Sequence, residues 1–205
     1  MRAGRGFSLI ELLIASALLG LFMTSVVAAL VYCNRYLQSA ESKIAAQTAC
    51  LQASTWISRT LSEGTMTSVQ AVPGVGVSFA SPRTPGSGEV TFLQGQLVWK
   101  QAMVYYLTNN SLGEPILEHK AFPYSGPPRL DPLPPFPVIA AAAAASDHRR
   151  VIARYVRRFE VDIYDVDPIY SPDLQGCARI MIETFVPHYG LDYGVTVRTQ
   201  VKLEN

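Results

Sequence analysis

The chain has 205 residues, of which 49% are hydrophobic and 16% are charged, and its formal net charge is +1. This near-neutral balance argues against a strongly basic nucleic-acid binder and against an acidic tail protein. Because the chain has only 3 cysteines, a small scaffold built on a dense disulfide framework is excluded as well.

The hydrophobic residues are concentrated near the N-terminus, after a short polar segment that carries Arg2 and Arg5. Residues 12–34 contain no charged side chain, and a helix needs about 20 apolar residues to cross a bilayer. The arginines before this run predict a cytoplasmic N-terminus and a single membrane pass. A secretory signal peptide is the simpler alternative. The apolar core of such a peptide has only about 7–15 residues, which is shorter than this run, and the A-x-A-like cleavage site that should follow it is missing at the expected place.

An acidic residue, Glu11, lies near the start of the apolar run. A carboxylate in hydrocarbon costs roughly 2.5–3.5 kcal/mol on insertion scales, so Glu11 is expected to have a partner. When helices pack side by side in a low dielectric, a cation on a neighbouring helix is a suitable partner.

Residues 6–11 read Gly-Phe-Ser-Leu-Ile-Glu. Together with the basic leader and the long apolar run, they resemble the start of type IV prepilins and type II secretion pseudopilins. The resemblance implies that a prepilin peptidase cleaves between Gly6 and Phe7 and that the new amine of Phe7 is methylated. Glu11 would then neutralise the Phe7 amine of a neighbouring subunit and set the axial stagger. One tip pseudopilin of the family lacks this Glu, which argues against that identity.

Helix-compatible sequence continues beyond the apolar run, because residues 21–63 contain no Pro or Gly and Gly64 is a natural stop. Leu30, Leu37, Ile44 and Leu51 recur at seven-residue spacing and predict one apolar face. Such a helix is longer than a membrane requires, so its second half must lie on a globular head. The predicted domains are a leader (1–6), a membrane and assembly half of the helix (7–34), a half packed on the head (35–63) and the head itself (64–205).

From residue 65 the pattern changes to the alternation of antiparallel strands. The predicted strands are a hairpin of residues 96–107 and 114–122, one or two strands within 151–165, and a pair formed by 178–186 and 195–203. The predicted fold class is therefore α+β and pilin-like, with a long N-terminal helix, membrane-spanning in its first half, packed on an antiparallel β-sheet head.

Arginines cluster in residues 149–158, and acids follow up to residue 173. We expect compensating ion pairs on the head or at a subunit contact, with a phosphate-binding arginine patch as the alternative. Asp165, Asp167 and Asp173 are weak candidates for Ca²⁺ ligands, since their spacing matches no EF-hand loop. No metal site is therefore predicted.

Two further features of the head leave alternatives open. The Pro-rich segment 122–137 is expected to be a stiff structural loop, although a polyproline ligand has the same composition. Cys33 and Cys50 lie too far apart on a helix to pair. Cys50 and Cys177 either pair in an oxidising compartment or remain small apolar thiols.

Motifs for catalysis or cofactor binding are missing from the sequence. His119, His148 and His188 share no metal-ligand spacing, and no nucleophile elbow or phosphate-cradling loop occurs. We therefore expect neither an enzyme nor a cofactor, and a periplasmic anchored enzyme is the least favoured of three hypotheses.

The resemblance favours a minor pilin or pseudopilin, made in the cell inner membrane with a periplasmic head and then built into a fibre or its tip complex. Residues 150–165 and 195–205 look like the J-like minor class. The implied partners are prepilin peptidase, other minor and major pilins or pseudopilins, the inner membrane and the assembly platform; nucleic acid is disfavoured. The alternative is a tip adhesin or DNA-uptake pilin whose head binds an external ligand, and the sequence leaves the secretion, pilus or competence system open.

Overall fold

A long α-helix, α1, runs from Leu9 to Leu61 in the computed structural model, which describes residues 8–132, 150–164, 176–188 and 191–203. Ala, Leu and other residues of high helix propensity dominate its sequence. The helix ends close to the predicted stop, where the N–H of Gly64 donates to the carbonyl of Leu61 at 3.0 Å. The chain divides into two compact units, Met1–Ser42 (the N-terminal unit) and Lys43–Asn205 (the head unit), and α1 contributes to both.

After α1, the regular structure in the described part of the head unit is mainly β-strand. A short 3-10 helix, Met66–Ser68, precedes them. The strands are β1 (Gln70–Val72), β2 (Gly76–Ser81), β3 (Phe92–Leu93), β4 (Gln96–Leu97), β5 (Gln101–Asn109), β6 (Pro115–Pro123), β7 (Arg150–Arg154), β8 (Val156–Tyr164), β9 (Cys177–His188) and β10 (Leu191–Lys202).

The strands form three sheets, and every described strand pair is antiparallel. The largest has the order β1-β2-β5-β6-β7, the second has the order β10-β9-β8, and β3 and β4 form a small ribbon. The sequence analysis did not predict β2, a strand of 6 residues that are all buried. A side chain at Gly76 would clash with the carbonyl oxygen of Tyr105, so this close pairing of β2 with β5 needs glycine.

The predicted hairpin around residues 108–113 is confirmed as β5 and β6. In its turn, the Asn110 side-chain oxygen accepts hydrogen bonds from the N–H groups of Leu112 and Glu114, both at 2.9 Å. The predicted start of the first arm was wrong. Residues 96–97 pair with β3 instead, and Trp99 forms an isolated bridge with Arg129, to whose carbonyl its N–H donates at 2.9 Å.

The pairing predicted near the C-terminus is also confirmed. Strand β9 pairs with β10 along their full lengths, with Val201 opposite Ala178. Val201 is buried, whereas Arg198 and Lys202 on the same strand are exposed, as the alternation predicted. Strands β7 and β8 account for the strand or two expected within residues 151–165.

One apolar core joins the second half of α1 to both large sheets. Cys50, Ala53, Ile57 and Leu61 have no exposed surface. Their partners in this core include Phe79, Tyr105, Leu117, Phe159, Ile180 and Ile182. The described chain therefore has the predicted α+β, pilin-like architecture of one long N-terminal apolar helix and antiparallel sheets.

Candidate processing site and assembly surface

The predicted cleavage site lies one residue before the first residue that the structure describes. Gly6 and Phe7 fall outside the described residues, which begin at Ser8. Their roles in cleavage and N-methylation are therefore predictions from the sequence.

Glu11 lies in the first turn of α1 and accepts a hydrogen bond from the backbone N–H of Ser8, with the nitrogen 3.0 Å from Oε2. Ser8 immediately precedes the helix, so the two residues have the N-cap and N3 positions of an S-x-x-E capping box. We did not predict this local role, although the pattern that signals it is present in residues 8–11. The partner that we predicted for Glu11, the Phe7 amine of a neighbouring subunit, does not belong to a single chain.

The N-terminal unit exposes a continuous apolar surface. Helix α1 is long and apolar enough to cross a membrane, with an apolar stretch whose mean hydropathy is 2.3 and none of whose residues is buried. The exposed apolar side chains include Leu9, Ile10, Leu12, Leu13, Ile14, Leu18, Leu19, Leu21 and Phe22. A surface of this kind is stable in the cell when lipid or other apolar helices cover it.

The second half of α1 packs on the head with a different face from the one that its heptad spacing indicates. Ile44 is 62% exposed and Leu51 is 55% exposed, so these members of the predicted apolar face do not belong to the core. The buried face instead contains Ala53, Ser54 and Ile57. Small residues at this face allow the sheets to approach the helix closely, and the heptad stripe is left facing away from the core.

The arginine-rich segment is partly neutralised by acids on the sheet of β8, β9 and β10. Arg158 contacts Glu160 on the same strand, with Nε 2.7 Å from Oε1. Arg179 contacts Asp162 on the neighbouring strand, with Nη2 2.6 Å from Oδ2. Hydrogen bonding to the carboxylates raises the pKa of both guanidinium groups. The contact of Arg158 with Glu160 confirms the predicted pairing for one arginine of the segment, whereas Asp162 pairs with Arg179, which lies outside that segment.

The weak calcium candidates Asp165, Asp167 and Asp173 lie outside the described residues, as do Arg149 and His148. Among the residues that the structure describes, no three His, Cys, Asp or Glu side chains are grouped so as to hold a metal ion.

The question of a disulfide between Cys50 and Cys177 is settled by their separation. The Cys50 Sγ lies 3.5 Å from the Ile182 carbonyl oxygen, and Ile182 is about 16 Å along β9 from Cys177 at about 3.3 Å per residue. All three cysteines are thiols. Burial raises the pKa of the Cys50 thiol, so this group is a small apolar core residue.

A polar pair lies inside the apolar core next to the end of α1. The Tyr105 hydroxyl is 2.7 Å from the Thr60 hydroxyl, and the Tyr105 ring is 4.9 Å from the His119 ring. Burial raises the pKa of Tyr105 to about 12. Burial also lowers the pKa of His119 to about 4, with a further contribution from the positive charge of Arg150. His119 is therefore neutral at physiological pH, which suits a structural role.

A groove of about 490 Å³, here called the α1–β7 groove, is formed by residues of α1 and β7 within the head unit. It is lined by Leu51, Gln52, Thr55, Trp56, Arg59, Arg150, Val151 and Ile152. The Arg150 guanidinium stacks on the Trp56 ring at 4.6 Å from the ring centroid. No sequence signal predicted this contact, because the two residues are far apart in the chain and belong to different elements.

Residues 1–27 match the family model described as the prokaryotic N-terminal methylation motif. No curated protein and no solved structure matches the chain. The match covers the leader, the predicted cleavage site, Glu11 and most of the apolar run, which are the residues that carried the resemblance. The chain thus carries a prokaryotic N-terminal methylation motif at the start of a helix long and apolar enough to span a membrane, and this supports a place in the type IV pilin-like family.

Proposed function

We propose that this chain is a minor pilin or pseudopilin, a structural subunit that prepilin peptidase processes before assembly into a type IV pilus or a type II secretion pseudopilus. The observation that carries the proposal is the methylation motif at the start of α1. The apolar window of that helix, in which no residue is buried, supports it, because such a surface suits both storage in a membrane and packing in a fibre.

In the proposed mechanism, the precursor is held in the inner membrane by α1, with its head in the periplasm. Cleavage after Gly6 creates a cationic amine on Phe7. During assembly, the Glu11 carboxylate of one subunit pairs with the Phe7 amine of its neighbour within the apolar bundle. Opposite charges attract strongly in such a low dielectric, and an unpaired charge is penalised, so the pair selects one axial stagger.

The subunit acts in a tip or priming complex of the J-like minor class, together with other pilins and the assembly platform, and turns over no substrate. Support for this finer assignment comes from the sequence patterns of residues 150–165 and 195–205. The exposed Ile44 and Leu51 add an apolar stripe through which the head half of the helix can contact neighbouring subunits.

The processing step is tested by mass spectrometry of the full chain purified from a strain with its prepilin peptidase and from one without it. We expect a mature chain that begins with N-methylated Phe7 in the first strain and an intact leader in the second. A mature N-terminus at any other residue contradicts the processing proposal.

The assembly role of Glu11 is tested with two substitutions that separate charge from capping. Glu11→Gln keeps an oxygen that can accept the Ser8 N–H but loses the charge, whereas Glu11→Ala loses both. We expect both variants in the membrane fraction and neither in sheared fibres, with Glu41→Gln on the exposed surface of the same helix as the control. Normal incorporation of Glu11→Gln would show that the charge pair is not required.

A second candidate function is a tip adhesin or DNA-uptake subunit. It is favoured by the exposed Trp56 and Arg150, which form an aromatic and cationic surface on the head. Fibres that assemble normally with Arg150→Ala but lose adhesion or DNA uptake would favour this function.

A further inference from the structure

The α1–β7 groove combines a concave apolar surface with positive charge. Leu51, Trp56 and Val151 line it and are 55%, 40% and 44% exposed, respectively. Apolar side chains that remain exposed together in one concave surface are typical of binding sites. The volume of about 490 Å³ lies within the range of ligand pockets.

The charged residues of the groove indicate whether its ligand is positively or negatively charged. Arg59 and Arg150 line the groove, and no carboxylate is among its described lining residues. Neither arginine forms an ion pair within the described part of the chain, whereas Arg83, Arg158 and Arg179 each contact a carboxylate. The groove therefore complements a ligand with negative charge.

Arg150 is held ready for such a ligand by its contact with Trp56. Stacking on the ring, at 4.6 Å from the centroid, restrains the guanidinium without using its N–H donors. A planar guanidinium can stack on an aromatic face and bind a carboxylate at the same time. Because the side chain is already restrained, Arg150 loses less conformational entropy when a ligand binds.

Strand β7 adds a second means of recognition, the edge of a sheet. It is the last strand of the largest sheet and pairs only with β6 among the described strands. An edge strand presents N–H and C=O groups with which an extended peptide can pair. Because Arg150, Val151 and Ile152 belong both to β7 and to the groove lining, a peptide paired with this strand would run along the groove.

We propose that the α1–β7 groove binds an extended acidic segment of a partner protein, which adds to the sheet at β7. Apolar side chains of the segment contact Leu51, Trp56 and Val151, and its carboxylates pair with Arg59 and Arg150. A nucleic acid would satisfy the arginines but has no amide backbone to pair with the strand. The inference rests on the head unit alone and does not depend on the proposed function.

The test measures binding of fluorescent peptides to the full chain in detergent micelles by anisotropy. The first peptide alternates glutamate with valine and tyrosine, the second has lysine in place of glutamate, and the third is the first with N-methylated backbone amides. We expect the first to bind and the other two to bind at least about tenfold more weakly, since the lysine peptide carries the opposite charge and the methylated peptide lacks the N–H groups.

Matched variants locate the site. Arg150→Glu is expected to weaken binding of the glutamate peptide by about tenfold and to strengthen binding of the lysine peptide. Trp56→Ala is expected to weaken the glutamate peptide about fivefold, since it removes an apolar contact and the support of Arg150. Arg198→Glu, which reverses an exposed arginine on β10, is the control and should change nothing. If charge reversal unfolds the head, Arg150→Gln is expected to weaken the glutamate peptide in the same direction.

Three results would each overturn the proposal. The first is that the glutamate and lysine peptides bind equally well. The second is that Arg150→Glu and Arg198→Glu weaken binding of the glutamate peptide equally, and the third is that the N-methylated peptide binds as well as the unmethylated one. An oligothymidylate or a phosphatidylglycerol vesicle that binds through Arg150, while the glutamate peptide does not bind, would overturn it in favour of a phosphate ligand.

Discussion

Residues 9–42 and residues 43–61 belong to one continuous helix, yet they meet opposite requirements. The first stretch exposes its large apolar side chains, such as Ile14 and Leu19, whereas the second buries Ile57 and Leu61 completely within its own head. The first stretch therefore needs lipid or another subunit, and the second is stabilised by its own chain. Matched substitutions in the two stretches separate these requirements.

The largest difference in the free energy of unfolding is expected when one isoleucine of each stretch is replaced by alanine. Ile57→Ala creates a cavity in the core and should lower the free energy of unfolding of the head by about 3 kcal/mol. Ile14→Ala, in the exposed stretch, should leave it unchanged. Denaturant unfolding of the full chain in micelles, followed by tryptophan fluorescence, measures both. Equal losses in the two variants would remove the distinction between the stretches.

Acidification should weaken the head unit through His119. Its pKa of about 4 in the folded chain lies below the ordinary value of 6.5, so the unfolded chain binds the proton first as the pH falls. The free energy of unfolding therefore falls between about pH 6.5 and pH 4, and the loss is complete below the folded pKa. We expect a loss of about 2 kcal/mol, because His119 is only partly buried.

His119→Gln provides the control for this pH dependence, because it cannot titrate. We expect its stability to vary less than that of the original chain over the same pH window, when both are measured by denaturant unfolding. Parallel pH profiles for the two proteins would show that another group is responsible.

A smaller effect is expected from the hydroxyls of two threonines, one in each stretch. Thr60 contacts the Tyr105 hydroxyl at 2.7 Å, whereas the Thr24 hydroxyl donates only to the Leu21 carbonyl of its own helix at 2.8 Å. Thr60→Val should cost about 1 kcal/mol of unfolding free energy, because it leaves a buried phenol without this partner. Thr24→Val should be neutral for the head, and Thr60→Ser should restore stability. A neutral Thr60→Val would contradict the importance of this contact.

The smallest effect is expected at the start of the exposed stretch. Glu11→Ala removes the acceptor for the Ser8 N–H and should destabilise the first turn of α1 by about 0.5 kcal/mol. Hydrogen exchange in micelles should therefore show first-turn amides exchanging about twofold faster, while Glu11→Gln retains most of the protection. Exchange unchanged in Glu11→Ala would mean that the cap contributes nothing.

The two stretches also differ in how far the sequence alone could describe them. The exposed stretch follows from composition, because an uncharged apolar run has one main use in a helix of this length. The packing face of the second stretch depends on shape. Ala53 and Ser54 lie against the sheets, although the larger Ile44 and Leu51 have the stronger hydrophobic signal.

In the head as well, the sequence pattern predicted some elements and missed others that depend on packing. Strand β10 was predictable because it is long, has one exposed face and alternates, whereas β2 has only 6 residues, all buried, with no polar exposed face to mark it. The groove was not predictable, because Arg150 on β7 meets Trp56 and Arg59, which are neighbours on α1, only through the path of the chain. Its function as a binding site stays a proposal.

The bond between Ser8 and Glu11 has a consequence for the subunit before it is assembled. Both residues follow Gly6, so cleavage at the proposed site would leave the cap of α1 intact. The carboxylate would then lie at the positive end of the helix dipole, with one oxygen already hydrogen-bonded, and both effects reduce the penalty for a charge held in a membrane. A subunit waiting in the bilayer would therefore be tolerated with its assembly charge in place, and polymerisation would exchange an internal partner for an external one.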